Sequence, residues 1–126
     1  MARVLGIGGI FFKSADPQKL NGWYEQHLGF KLEQGAVTFP WNVADGEAYT
    51  TVWAPFPQDT KYFAPSVAPY MINYIVDDLD GMLRQLRAAG VAVDEKTEEH
   101  EYGRFGWAMD PEGNRFELWE PVRPRA

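Results

Sequence analysis

Near the N-terminus the apolar positions change period. "VLGIGGIFFK", residues 4–13, is β-branched and aromatic with interleaved glycines, the pattern of a buried strand that some partner approaches closely. From Pro17 the spacing becomes helical. Leu20, Trp23, Tyr24 and Leu28 share one face, Asp16 is placed to cap, Pro17 suits the first helical position, and Gly29 is the stop. Three short runs with strand character follow, around 31–33, 37–43 and 48–54, the last two separated by the turn "ADGE" at 44–47. "PFPQDTKYFAPSVAP", residues 55–69, is broken by prolines and reads as a linker.

The same order then returns. "YMINYIV" at 70–76 is a strand, and "DDLDGMLRQLRAAG" is a helix with Leu79, Met82, Leu83 and Leu86 on one face, late arginines and Gly90 as its stop. "VAVDEK" at 91–96, "FGWAMD" at 105–110 and "RFELWE" at 115–120 supply three more strands, the last two joined by a turn at "DPEG". The pattern is βαβββ twice, with module one at about 4–56, the linker at about 55–69 and module two at about 70–121. An ungapped alignment supports the duplication: Phe39 meets Phe105, Trp41 meets Trp107, Trp53 meets Trp119 and Pro55 meets Pro121, which sets Thr51 opposite Glu117. The first strands and helices align Gly9 with Met71 and Asp16 with Asp78. One module could not bury both its sheet face and its helix, so the two must pair, within one chain or across a swapped dimer, and 1–126 is read as a single domain.

"DPQKLNGWYEQHLGF", "VDDLDGMLRQLRAAGV" and "YGRFGWAMDPEGNRFELWEP", with the repeat between them, resemble the vicinal oxygen chelate superfamily, the fold of glyoxalase I, extradiol dioxygenases, fosfomycin-resistance thiol transferases and bleomycin-binding proteins. The resemblance implies an α+β fold: two βαβββ modules forming a curled eight-stranded mixed sheet around a pocket, with helices outside, often as a homodimer. It also implies a metal test. Metal-dependent members hold a divalent ion with one residue from the first and one from the last strand of each module, typically His, Gln or Glu, suited to Zn, Ni, Mn or Fe. The matching positions here are Gly9, Thr51, Met71 and Glu117. One family-type ligand of four remains, so no metal and no other cofactor is expected. His27, at the end of the first helix, and His100, in an acidic loop resembling one that borders the family pocket, do not repair the set.

Composition changes the picture in three places. Aromatic residues are 15% of the chain, with five Trp, enough to build a pocket as well as a core. A net charge of −6 argues against a nucleic-acid partner. Cys is absent, which removes thiol chemistry and disulfides. No apolar run is long enough to span a bilayer and the start lacks a signal-peptide pattern, so the expectation is a cytoplasmic protein without a membrane partner.

Period-two alternation puts Glu117 and Trp119 on one face of the last strand. With the repeat and the resemblance, the expected pocket is Phe11, Trp41, Thr51, Trp53, Met71, Asn73, Phe105, Trp107, Glu117 and Trp119: aromatic rings around one carboxylate. Such a box suits a flat aromatic molecule or a cation. Metal-free binding of a small aromatic or cationic molecule is therefore the leading expectation. The alternatives are a metal-dependent lyase, isomerase or dioxygenase, a metal-free enzyme with Glu117 as catalytic general base, and an interaction subunit whose cavity is filled by its own side chains. The bland reading of Glu117 is a structural salt bridge to Arg115 or Arg104.

Overall fold

A computed structural model describes residues 1–43 and 46–122. Part of the expected turn at 44–47 lies outside the described residues. The elements are β1 (Val4–Ser14), α1 (Pro17–Leu28), β2 (Val37–Asn42), β3 (Ala48–Pro57), β4 (Tyr70–Val76), α2 (Leu79–Ala88), β5 (Glu98–His100), β6 (Gly103–Met109) and β7 (Arg115–Pro121). They form one mixed, open sheet in the order β2-β3-β1-β4-β7-β6-β5. The two modules join within the chain through the antiparallel pair β1–β4, and each module contains one parallel pair, β1–β3 and β4–β7.

Both helices start as their sequences direct. The Asp16 carboxylate accepts from the Lys19 amide at 3.1 Å and the Asp78 carboxylate accepts from the Gly81 amide at 3.1 Å, each satisfying an amide of the first turn. Gly29 ends α1 in the left-handed region at φ 70°, where a side chain would be strained. α2 packs on one face of module two, where Val76, Leu79, Leu83 and Leu118 are buried together. α1 covers module one through Tyr24, whose ring lies 4.8 Å from Trp53.

Among the described residues the sheet has seven strands, not the expected eight. Residues 31–33 form no strand: Glu33 bridges Ala36 across a tight turn in which Gln34 and Gly35 both have positive φ, leaving too little chain for a ladder. "VAVDEK" runs beside β6, with the Asp94 amide donating to the Trp107 carbonyl at 2.9 Å. The Asp94 carboxylate then accepts from the Lys96 amide at 3.0 Å, turning the chain out of register, and pairing resumes only at β5. β3, conversely, continues through Pro57, into the proline-rich stretch.

Candidate functional site

Strand register sets a row of side chains across the face opposite α2. Gly9 pairs with Asn73, Asn73 with Glu117, and Glu117 with Trp107. Glu117 is 2% exposed and Asn73 is 2% exposed. The Asn73 Nδ2 donates to Glu117 Oε1 at 2.6 Å, and the Trp107 Nε1 donates to Glu117 Oε2 at 2.8 Å. The Tyr62 hydroxyl, reaching in from the stretch after β3, donates to the same Oε2. Three neutral donors thus hold one buried carboxylate.

Burial raises the proton affinity of Glu117 above the usual carboxylate range, while the hydrogen bonds from Tyr62, Asn73 and Trp107 and the charge of Arg115 pull the other way. Burial and the facing Glu117 charge push the Tyr62 phenol well above its usual value, so it remains a donor. No salt bridge neutralises the acid among the described residues. Arg104 pairs with Asp80 at 2.9 Å, and Arg115 donates to the Ala64 carbonyl at 2.6 Å with its guanidinium 5.2 Å from the centre of the Trp107 ring.

Aromatic rings close around this group. Phe63, Met71 and Trp107 are buried together, with Phe11, Phe56 and Phe105 packed against them. Trp119 stacks on Phe105 with centroids 5.7 Å apart, and its indole nitrogen donates to the Tyr102 carbonyl at 3.0 Å. A bulge in β1 falls between Ile7 and Gly9, and the glycines there admit close approach. A Cβ on Gly8 would lie 2.3 Å from Asn73 Oδ1 and 2.9 Å from Trp119, and one on Gly9 would lie 2.5 Å from the Phe11 ring.

Of the expected pocket residues, the structure gathers Phe11, Met71, Asn73, Phe105, Trp107, Glu117 and Trp119, and places Trp41, Thr51 and Trp53 elsewhere. Phe11, the counterpart of Asn73, pairs with Ala54, so Ala54 rather than Thr51 holds the register of Glu117 in module one. A one-residue difference between parallel pairs inverts the face. Trp53 accordingly packs under α1, against Phe30 at 5.0 Å and Phe12 at 5.3 Å. Thr51 accepts from Trp41 Nε1 at 2.9 Å and donates to the Ile7 carbonyl at 2.5 Å, tying β2, β3 and β1 together. His27 lies against Trp23 and His100 pairs with Glu98 at 2.9 Å beside Phe105.

Sequence reading missed Tyr62 and Phe63. "KYF" was the signal, since two adjacent aromatics are out of place in a solvated linker. Phe63 is 1% exposed and Tyr62 is 38% exposed, so this stretch packs onto the site instead of passing over it.

A divalent metal does not fit these side chains. Both oxygens of Glu117 are engaged by donors, Gly9 and Ala54 offer no ligating atom, and Met71 offers a buried thioether. Among the described residues, no three His, Cys, Asp or Glu side chains cluster as a metal site. A cavity of about 200 Å³ lies beside Trp107, bounded by Pro65, Val93, Met109 and Arg115. A larger cavity of about 530 Å³ lies on the other face of the sheet, between α2 and Ile72, Tyr74, Phe116 and Leu118, separated from Glu117 by the strands themselves.

Comparison with known proteins agrees with this architecture. Residues 7–118 match the family model for the Glyoxalase/Bleomycin resistance protein/Dioxygenase superfamily. Among solved structures, methylmalonyl-CoA epimerase from Mycobacterium tuberculosis is similar at 26% identity and a TM-score of 0.62, covering 95% of this chain and 90% of that one. Streptomyces coelicolor methylmalonyl-CoA epimerase in complex with 2-nitronate-propionyl-CoA aligns at 19% identity and a TM-score of 0.65, over 96% of this chain and 100% of that one. A superfamily member from Vibrio splendidus 12B01 aligns at 15% identity and a TM-score of 0.55, over 95% and 99% of the two chains. A comparison with curated protein sequences finds no match. No helix among the described residues is long and apolar enough to cross a membrane.

Proposed function

The chain belongs to the Glyoxalase/Bleomycin resistance protein/Dioxygenase superfamily, and from that premise we propose that it binds a small aromatic molecule on the Glu117 face of its sheet without using a metal ion. The observation that carries this reading is the hydrogen-bonded carboxylate itself: Glu117 anchored by Asn73, Trp107 and Tyr62 among Phe11, Phe56 and Phe105. A flat ring has aromatic faces to lie on there, and one polar group orients it. The cavity beside Trp107, about 200 Å³, is below the usual ~300–1,000 Å³ of a ligand pocket, so entry requires the Tyr62 stretch to yield. Titration with a panel of small aromatic compounds tests the proposal. Trp fluorescence should be quenched in a saturable manner, with an upward shift in melting temperature; a panel that moves neither signal would sink it.

A second reading has its own support. Burial gives Glu117 the raised proton affinity of a general base, and the similar epimerases are named for methylmalonyl-CoA. Against it, Oε2 already accepts two hydrogen bonds, which lowers its basicity until Tyr62 leaves. Epimerisation of methylmalonyl-CoA by the wild type, abolished in Glu117→Gln with binding retained, would replace the first reading by this one.

A homodimer is proposed as the working form. α2 covers Val76 at one end of the outer side of the β1–β4 pair, but Val4 is 46%, Ile7 41%, Ile10 40% and Tyr70 40% exposed there. For chains carrying a net charge of −6, an uncharged face is where two copies approach at least electrostatic cost.

A further inference from the structure

The side chain of Tyr62 sits in the site as a ligand would. Its ring stacks on Phe56, with centroids 5.7 Å apart and planes 13° from parallel, and stands edge-on to Trp107 at 6.4 Å and 88°. Its hydroxyl ends on Glu117. Tyr62 is 38% exposed whereas Phe63, Met71, Trp107 and Glu117 are 3% exposed or less, so the Tyr62 ring is the solvent-facing contact of the carboxylate. The stretch is fixed on both sides of it. The Tyr62 amide donates to the Thr60 hydroxyl at 3.2 Å, and the Ala64 carbonyl is held by Arg115. These anchors would keep Phe63 in its buried place if the Tyr62 side chain rotated outward.

We propose that Tyr62 is a built-in occupant of this site, and that the ligand it stands in for is a neutral hydroxylated aromatic ring, a phenol, which displaces it. This inference rests on the aromatic-binding reading above and names its ligand class. An incoming phenol would lie on Phe56, present its edge to Trp107 and donate its hydroxyl to Glu117, the three contacts that Tyr62 now makes. Hydrogen bonding narrows the class, because what Tyr62 gives Glu117 is a donated hydroxyl. A cationic ring is the competing class, drawn to Glu117 and repelled by Arg115, which lies over Trp107 and pairs with Asp94 at 3.8 Å. A phenolate would face the Glu117 carboxylate with no proton to donate. A neutral phenol, with an ordinary pKa of about 10, keeps its proton at neutral pH. The apolar isostere that lacks the hydroxyl would leave a lone pair of a buried carboxylate without its donor.

Because Tyr62 competes with the ligand, affinity is reduced by the fraction of molecules in which it is already displaced. Isothermal titration of wild type, Tyr62→Ala and Tyr62→Phe with 4-methylphenol, toluene and 4-methylbenzylammonium tests this. Tyr62→Ala is expected to bind 4-methylphenol about tenfold tighter than wild type, the scale of removing a competing hydrogen bond to a charged group, and tighter than it binds toluene. Tyr62→Phe, which keeps the ring and loses the hydroxyl, is expected to fall between the two, and it carries the test if the alanine variant does not fold. Equal affinity of wild type and both variants for 4-methylphenol, or equal binding of toluene and the phenol, overturns the inference. If 4-methylbenzylammonium binds tightest, the phenol class fails while the aromatic site stands. Failure of all three compounds to bind any folded variant removes both.

Discussion

Three neutral donors hold Glu117, and their pull does not outweigh burial. Its carboxyl lies above the usual value of 4.5, because the excluded water would have solvated the charge better than an indole, an amide and a phenol do. The sign of the stability effect follows. The folded state binds this proton more tightly than the unfolded state, so the contribution of Glu117 to stability is fully present below about pH 4.5 and is lost as the pH rises through the folded-state value. Glu117→Gln cannot titrate. The stability of wild type minus that of Glu117→Gln should therefore shrink as the pH is raised from about 4.5, measured by paired urea unfolding curves. A difference that grew with pH would mean that the hydrogen bonds, not burial, dominate. Glu117 was legible in the sequence because it is an acid in an aromatic strand with a predictable face. Tyr62 was not, because its position depends on how an irregular stretch folds back, which neither periodicity nor turn chemistry encodes.

At the scale of elements, caps and amphipathic spacing gave both helices, and Asp16 and Asp78 each cap one of them. Removing the first cap in Asp16→Ala should cost about 1 kcal/mol. The faces of module one were harder to read. Identical residues aligned Trp53 with Trp119, yet β1–β3 and β4–β7 pair in registers that differ by one residue, and side-chain alternation turns that single step into opposite sides of the sheet. Trp53 is consequently a packing residue for α1, in contact with Tyr24, Phe30 and Phe12. Trp53→Ala should destabilise the protein by about 2 kcal/mol or more by denaturant unfolding, below the ~3–5 of a fully buried aromatic because Trp53 is partly exposed. A cost within ~0.5 kcal/mol would show that Trp53 does not hold α1 to the sheet. Short strands were the least legible: the 31–33 run is consumed by a tight turn, and Asp94 bends the chain away from β6 before β5 begins.

The whole molecule joins its modules through one antiparallel strand pair, whose inner side carries the Glu117 row and whose outer side leaves Ile7 and Ile10 exposed. A dimer across that outer side would leave the inner site free. Ile10→Glu should convert a dimer to a monomer in sedimentation velocity, since two buried carboxylates would then face each other without partners; a wild-type monomer at tens of micromolar would refute the assembly. The two faces should be separable, with the Ile10 variant still responding to aromatic titrants. The proposed metal-free site rests on Glu117, which is tied by hydrogen bonds to Tyr62, Asn73 and Trp107 in a row where Gly9 and Ala54 supply no ligating atom and Asn73 supplies only an amide oxygen. Elemental analysis of untagged protein, incubated with Zn, Ni, Mn and Fe salts and then desalted, tests this most directly. The account predicts far less than one equivalent of any of the four metals, unchanged in Glu117→Ala; near one equivalent of a single metal, lost in Glu117→Ala, would contradict it.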